Sequence, residues 1–199
     1  MGPVLPRLDP YPLWLRIPLA LFVAVLVPVY WHRYGPGNFL WFSDIALFAV
    51  LISLWTGYRL PYSMIAVGVL PLEIVWTLDF LSGANLIGLT TYMFDDDLPL
   101  ALRALSLFHL ALAPIVIGML IVQGYDRRAI WTQTVFAWFV LLATYWLTAP
   151  KDNVNWVHGL GDGGMLPLPQ PWYLLVYMAL LPLVVIAPMH LALRRLFRS

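Results

Sequence analysis

Ser43, Asp44 and His109 are the residues whose side chains together could carry out covalent chemistry. A serine hydroxyl acts as a nucleophile when a base within about 3 Å takes its proton, and a carboxylate orients or charge-balances that base. Successive side chains on a helix diverge by about 100°, so Ser43 and Asp44 cannot both point straight at one imidazole. These residue types predict ester hydrolysis or acyl transfer at a Ser43–His109 pair supported by one carboxylate.

Three more charged residues lie in apolar stretches, namely Glu73, Asp79 and Arg103. Burying a charge in lipid costs at least about 2.5–3.5 kcal/mol, so each is a candidate for function. We expect Glu73 and Asp79 to bind a ligand and Arg103 to hold a phosphate headgroup. The alternative is structural, with an ion pair from Arg103 to Asp79 or Asp44 that fixes the register of the helices.

A cofactor is not indicated by these residues. His109, Glu73 and Asp44 are acceptable metal ligands, but their spacing matches no known ligand pattern. The three consecutive carboxylates of 95–97 are typical of a solvated loop, with weak Ca²⁺ or Mg²⁺ binding as the alternative. The other histidines lie at different predicted depths, which argues against a haem with two histidine ligands and leaves a pigment on His109 alone as an open possibility.

The composition is that of an integral membrane protein. Of the 199 residues 62% are hydrophobic and 11% are charged, and more polar surface than this is needed to keep a domain of this size dispersed in water. The absence of cysteine excludes disulfides, thiolate metal sites and a cysteine nucleophile. A net charge of +1 with scattered basic residues excludes the basic stripe that binds nucleic acid.

The hydropathy pattern predicts an all-α fold, a single transmembrane domain over residues 1–199. A transmembrane helix needs about 20 mostly apolar residues. The apolar segment 83–94 is too short to cross and is predicted to be re-entrant. Arg7 and Arg16 precede an apolar run as in a signal peptide, but no small-residue cleavage site follows, so we expect this helix to be retained. The six predicted membrane spans are 13–30, 39–56, 62–81, 98–123, 129–148 and 172–192.

Basic residues predict the orientation, because cytoplasmic ends are enriched in Lys and Arg. With six spans, eight of the 11 basic residues fall on the side of both termini, which is therefore predicted to be cytoplasmic. The candidate residues then lie in the outer part of the bundle, where they could share one pocket open to the outside. Asn153 and Asn155, in the outer loop 149–171, join the predicted ligand-binding set. We expect a multi-pass protein of the bacterial inner membrane whose partners are lipid and neighbouring helices.

Five stretches of the chain stand out together, namely 38–44, Phe108-His109, 124–128, 148–156 and Pro171-Trp172-Tyr173. These stretches resemble the YwaF-like integral membrane family. That family comprises bacterial membrane proteins, and its eukaryotic relatives include a transmembrane acyltransferase acting on phospholipids. The resemblance places Ser43 where the acyltransferase relatives have a cysteine nucleophile, and His109 at their histidine. A hydroxyl ionises less readily than a thiol, so this difference implies either stronger general-base help or a lost activity. The chain also resembles other bacterial membrane proteins in the stretches 34–39 and 92–95.

Two hypotheses of function follow from the sequence. The first is a lipid hydrolase or acyltransferase that works from an outward-facing intramembrane cavity, with Ser43 as nucleophile, His109 as general base and Asp44 or Glu73 as the orienting carboxylate. The second is a non-enzymatic bundle, either a small transporter or an accessory subunit that helps a membrane complex assemble, whose buried charges position a ligand or a partner helix.

Overall fold

A computed structural model describes residues 11–161 and 168–197 of the chain. All regular elements in this part are helical, which confirms the predicted all-α class. A π-helical segment, Pro182–Ile186, joins the last two α-helices, and short 3-10 turns cover Pro36–Leu40, Thr91–Phe94 and Val154–Trp156. The α-helices are α1 (Leu13–Tyr34), α2 (Phe42–Thr56), α3 (Arg59–Gly68), α4 (Leu70–Leu81), α5 (Leu100–Ser106), α6 (Phe108–Gln123), α7 (Ala129–Leu147), α8 (Trp172–Leu181) and α9 (Ala187–Leu196).

The helices account for each of the six predicted apolar segments, but three of these segments contain a break. α3 and α4 form one segment bent by 57° at Val69. Pro71 lies in the first turn of α4 and has no N–H to continue the hydrogen-bond ladder of α3, which explains the bend. Leu107 separates α5 from α6, and Pro182 begins the π-helical segment after α8.

α3 lies at the centre of the bundle and packs against α2, α4, α6, α7 and α9. Its last residue, Gly68, is buried, and a Cβ at this position would collide with the side chain of Gln133 in α7. Glycine at this position thus leaves room for the side chain of Gln133 between the two helices. At the other end of α3, the hydroxyl of Tyr62 donates to the carbonyl of Gly124 at 2.6 Å. These contacts fix α3 against both ends of the helices around it.

Four helical stretches are long and apolar enough to cross a bilayer, and the bent pair of α3 and α4 would make a fifth. The helix α2 is also apolar but has 15 residues. These stretches support a membrane protein with many exposed apolar side chains on its outer helix faces. The four long stretches are Leu13–Tyr34, Leu100–Gln123, Ala129–Leu147 and Trp172–Leu196.

The segment predicted to be re-entrant, 83–94, is made of turns and the 3-10 turn Thr91–Phe94. Its chain folds back over the end of α4 instead of forming a helix of its own. Arg7 and Arg198, which enter the predicted orientation, lie outside the described residues.

Candidate functional site

A buried carboxylate–imidazole pair joins α4 to α6. Oε2 of Glu73, in the first turn of α4, lies 2.8 Å from Nδ1 of His109, near the start of α6. The side chains of Glu73 and His109 are only 4% and 12% exposed. An ionised carboxylate can only accept hydrogen bonds, so beside an ionised Glu73 the neutral form of His109 carries its proton on Nδ1 and presents the lone pair of Nε2. The pair therefore has the arrangement of an oriented general base.

Aromatic rings fix the plane of the His109 imidazole. The ring lies between Trp76, at a centroid distance of 4.4 Å, and Phe108, at 4.3 Å, and is within about 20° of parallel to both. Trp76 follows Glu73 by three residues on α4, so both side chains lie on the helix face towards α6. Trp76 in turn stacks on Phe80. This stack prevents rotation of the imidazole and shields the Glu73–His109 hydrogen bond from water.

A second buried carboxylate, that of Asp44, lies close enough to Glu73 to interact with it electrostatically. Its Oδ2 accepts a hydrogen bond of 3.1 Å from Nδ2 of Asn38, in the turn before α2. Its Oδ1 is buried and has no hydrogen-bond partner among the described residues. Two ionised carboxylates in one apolar region repel each other. A bound proton, cation or hydrogen-bond donor between them would relieve that repulsion.

Hydroxyl groups complete the surroundings of the carboxylates. The hydroxyls of Tyr30 in α1 and Ser106 in α5 are 3.1 Å apart and buried. Tyr30 lies within electrostatic reach of Asp44, and Tyr92 within reach of Glu73. We call Tyr30, Asn38, Asp44, Glu73, Ser106 and His109 the polar cluster. Five α-helices and the turn Pro36–Leu40 contribute to it, and it includes three of the predicted residues, Asp44, Glu73 and His109.

Three members of the polar cluster were not predicted as site residues, namely Tyr30, Asn38 and Ser106. Tyr30 reads as an aromatic anchor at the end of an apolar segment, because its partner Ser106 is 76 residues away. Asn38 lies six positions before Asp44, and this spacing alone does not indicate that its side chain donates to the carboxylate. Ser106 and His109 are three residues apart, and this spacing of about one helical turn could have indicated that Ser106 lies near the site.

Ser43, the predicted nucleophile, is partly exposed on α2 and precedes Asp44. Within the described residues, no hydrogen bond joins its hydroxyl to His109. Its neighbour Asp44 points to the polar cluster, and the 100° step of a helix aims the two side chains differently. The role of Ser43 as nucleophile therefore stays a prediction.

Asp79, predicted to bind a ligand, is engaged by its own loop. Its carboxylate is fully buried and accepts four backbone N–H groups and the hydroxyl of Thr90, at distances from 2.7 to 3.2 Å. Both oxygens are therefore in use. The carboxylate closes the turn after α4 and holds the segment that follows it. The backbone donors are Leu86, Ile87, Gly88 and Thr90.

Arg103 contacts the connection between α4 and α5. Its Nη1 donates to the carbonyl of Met93 at 3.4 Å and lies 3.9 Å from Oδ1 of the exposed Asp96. In the part of the chain that is described, no ion pair joins Arg103 to Asp79 or Asp44. The predicted structural alternative, an ion pair that sets helix register, is therefore absent from these residues. Its Nε is buried and has no hydrogen-bond partner in residues 11–161 and 168–197, so Arg103 retains donor capacity there.

Asn153 and Asn155 shape the loop after α7. The side chain of Asn155 accepts the N–H of Phe42 at 3.0 Å and donates to the carbonyl of Leu40 at 2.7 Å. It thereby fixes the start of α2, two residues before Asp44. The side chain of Asn153 bonds to three backbone groups of its own loop. Both amides are used to position the backbone around the polar cluster.

The described residues contain no cluster of side chains that could hold a metal ion. Among residues 11–161 and 168–197, no group of three or more His, Asp and Glu side chains is arranged to hold a metal ion. The combination of His109, Glu73 and Asp44 therefore does not form a three-ligand metal site.

No protein-family model matches this chain, and no curated protein and no solved structure matches it.

Proposed function

We propose that the chain crosses the bacterial inner membrane six times, with both termini in the cytoplasm. Support comes from the six apolar helical segments, of which α2 can be lengthened across the bilayer by the turn Pro36–Leu40 that precedes it. Further support comes from basic residues at one end of the bundle, namely Arg59 at the start of α3 and Arg127 and Arg128 in the turn before α7. In this topology the polar cluster lies in the outer half of the membrane.

The proposed activity is hydrolysis or acyl transfer on a membrane lipid, in keeping with the resemblance to the YwaF-like family. The observation that carries this proposal is the 2.8 Å hydrogen bond between Glu73 and Nδ1 of His109. Because the carboxylate occupies Nδ1, the free Nε2 is the atom that can accept a proton from a nucleophile. Glu73, and not Asp44, is the carboxylate that orients the base.

The reaction uses Ser43 as the nucleophile once its hydroxyl comes within about 3 Å of Nε2 of His109. His109 removes the hydroxyl proton while the oxygen attacks the carbonyl carbon of a lipid ester. The bond to the leaving alcohol then breaks, and the imidazolium returns the proton to that alcohol. Water releases the acyl group from Ser43 in a hydrolase, whereas a second alcohol takes it up in an acyltransferase. Arg103, next to the connection between α4 and α5, is the proposed contact for a headgroup phosphate.

A fluorophosphonate probe tests this proposal in the purified protein in phospholipid nanodiscs. We expect labelling of the wild type at Ser43, no labelling of Ser43→Ala, and labelling slowed at least about a hundredfold in His109→Ala. Glu73→Gln should slow labelling to a lesser extent. Equal labelling of the wild type and His109→Ala, or no labelling of either, contradicts the proposal. Ser53→Ala serves as the control, because Ser53 is a buried serine at the other end of α2.

A small transporter is the second candidate, favoured by the unpartnered Oδ1 of Asp44 beside Glu73. Two neighbouring carboxylates and an imidazole can take up and release a proton as a bound solute comes and goes. Proteoliposomes with a pH-sensitive dye inside test this candidate. A proton flux in the wild type that Asp44→Asn abolishes supports transport, whereas a flux equal in both proteins excludes it. Unchanged lipid composition in a deletion strain would favour transport or an accessory role over lipid chemistry.

A further inference from the structure

A polar cavity lies at the opposite end of the bundle from the polar cluster, where α2 meets α3 and α6 meets α7. Its volume is about 460 Å³. The turn between α2 and α3 forms one wall, and the loop from α6 to α7 forms the other. The residues that line it are Gly57, Tyr58, Arg59, Gln123, Asp126 and Arg128.

The shape of the cavity is set by hydrogen bonds between the two turns. Gly57 ends α2 in a left-handed conformation, with φ of 70°, which turns the chain directly into α3. Arg59 donates from Nη1 to the carbonyl of Gln123 at 3.2 Å. The N–H of Asp126 donates to the hydroxyl of Ser63 in α3 at 3.1 Å. Because both turns are tied to α3, the cavity is a preformed part of the fold.

The charges that line the cavity leave a positive surplus. Arg128 binds Asp126 through two side-chain nitrogens, with a shortest distance of 2.7 Å, so these two charges offset each other. The hydrogen bond from Arg128 lowers the pKa of Asp126, which keeps this carboxylate ionised. The hydrogen bond of Arg59 goes to a neutral carbonyl, and its side chain is exposed. Arg59 also interacts electrostatically with Asp126, so the described lining residues hold two guanidinium groups and one carboxylate, which leaves one net positive charge at the cavity.

The surroundings of the cavity place it at the level of lipid headgroups. Tyr58 lines the cavity and is exposed, and aromatic side chains of this kind are enriched at the membrane surface. Trp131, Val135 and Phe139 are exposed on α7. Their spacing of four residues puts them in one stripe that begins one turn after Arg128. An apolar surface thus runs from the cavity along a face of α7 that has no protein neighbour among the described residues.

We propose that the cavity binds the phosphate of an anionic phospholipid, with an acyl chain along the stripe Trp131–Val135–Phe139. Arg59 is the principal phosphate ligand, because guanidinium groups bind phosphate oxygens through two parallel N–H groups. The positive surplus selects a lipid with a net negative charge over a zwitterionic lipid. The apolar stripe selects a lipid over a soluble phosphate. This site is separate from the polar cluster and does not depend on the proposed activity.

Native mass spectrometry of the full-length protein in detergent tests this site. We expect dioleoylphosphatidylglycerol to bind at least about tenfold more tightly than dioleoylphosphatidylcholine, and Arg59→Gln to remove this preference. Arg59→Lys should keep most of it. Arg127→Gln is the matched control, because Arg127 is an exposed neighbour that does not line the cavity. The thermal unfolding midpoint of each variant shows whether it has folded.

The outcomes separate the proposed lipid site from its alternatives. Equal losses in Arg59→Gln and Arg127→Gln would mean attraction by diffuse charge, and would overturn the site. Displacement of the lipid by millimolar inorganic phosphate or glycerol 3-phosphate would identify a soluble anion as the ligand and would also overturn the proposal. Trp131→Ala supplies a test that leaves the charges intact. It should weaken the binding of dioleoylphosphatidylglycerol several-fold, whereas unchanged binding would show that the stripe takes no part.

Discussion

Glu73 and Asp79 are both buried carboxylates on α4, six residues apart, and they have different partners. Asp79 is bound by backbone N–H groups of the loop that follows it, and by Thr90 of the same loop. Glu73 is bound by the imidazole of His109 from another helix and interacts with a second carboxylate. Backbone donors cannot give up their protons, whereas an imidazole can.

The difference shows that burial of a charge does not by itself identify a functional residue. A carboxylate whose oxygens are all satisfied by fixed donors stabilises the fold. A carboxylate paired with a titratable group, next to another carboxylate with an unpartnered oxygen, has capacity to bind or transfer a proton. Glu73 and its neighbours are therefore the candidates for proton exchange, whereas Asp79 organises the loop that follows α4.

Replacing Asp79 should have the largest effect on stability. Asp79→Ala leaves the N–H groups of the loop without their acceptor, each of which costs about 1–3 kcal/mol when buried, so we expect a loss of several kcal/mol in the free energy of unfolding. Thermal unfolding in detergent measures this loss. Asp95→Asn is the control, because Asp95 is an exposed carboxylate of the same connection. A similar midpoint for both variants would show that the carboxylate of Asp79 does not hold the loop.

Glu73→Gln should separate stability from chemistry. The amide of glutamine keeps a hydrogen bond to His109, so the free energy of unfolding should change by only about 1 kcal/mol. The neutral amide stabilises an imidazolium less well than a carboxylate, so fluorophosphonate labelling should slow by about tenfold or more. If Glu73→Gln lowers the free energy of unfolding as much as Asp79→Ala does, then the carboxylate of Glu73 is needed for the fold in the same way as that of Asp79.

Asp44→Asn should leave stability unchanged or raise it by about 1 kcal/mol, because it removes one of two neighbouring buried charges. The oxygen of asparagine can still accept the hydrogen bond from Asn38. Thermal unfolding of the purified variant gives the answer. A loss as large as that of Asp79→Ala would mean that the charge of Asp44 is itself needed for the fold.

The helices could be predicted because lipid demands long apolar stretches. The segment 39–56 corresponds to α2, and 129–148 to α7, with ends that differ by a few residues. The bend between α3 and α4 has a visible cause in Pro71. The break at Leu107 has none, because neither proline nor glycine lies there. It depends on how α5 and α6 pack against their neighbours, which the local sequence does not encode.

The residues of the site were predictable by type, and their pairing was not. Charged residues in apolar segments pointed to Asp44, Glu73, Asp79 and Arg103 alike. Only the packing of α4 against α6 brings Glu73, and not Asp44, to His109 across 36 residues of chain. The role of Asp79 depends on how the backbone turns after α4, which includes glycines of positive φ at Gly83 and Gly88. No pattern in the residues themselves distinguished these two carboxylates.

His158, in the loop after α7, differs from His109 in having no acidic partner among the described residues. The rings of His158 and Tyr145 are in contact at a centroid distance of 4.9 Å, and Nε2 of His158 is buried with no hydrogen-bond partner in the part of the chain that is described. Burial lowers the pKa of His158, so the folded protein binds a proton at this residue less readily than the unfolded chain does. Its contribution to stability is therefore lost as the pH falls below about 6.5, the ordinary pKa of histidine.

His158→Gln should accordingly show the smallest effect of the series, and one that depends on pH. At pH 7.5 its unfolding midpoint should be close to that of the wild type, apart from the lost ring contact with Tyr145. Between pH 6.5 and about 5 the midpoint of the wild type should fall more steeply than that of the variant, because only the wild type must exclude a proton from this loop. His32→Gln is the control, since His32 is exposed. Equal slopes in the wild type and His158→Gln would place the acid sensitivity in another group, with the Glu73–His109 pair as the next to test.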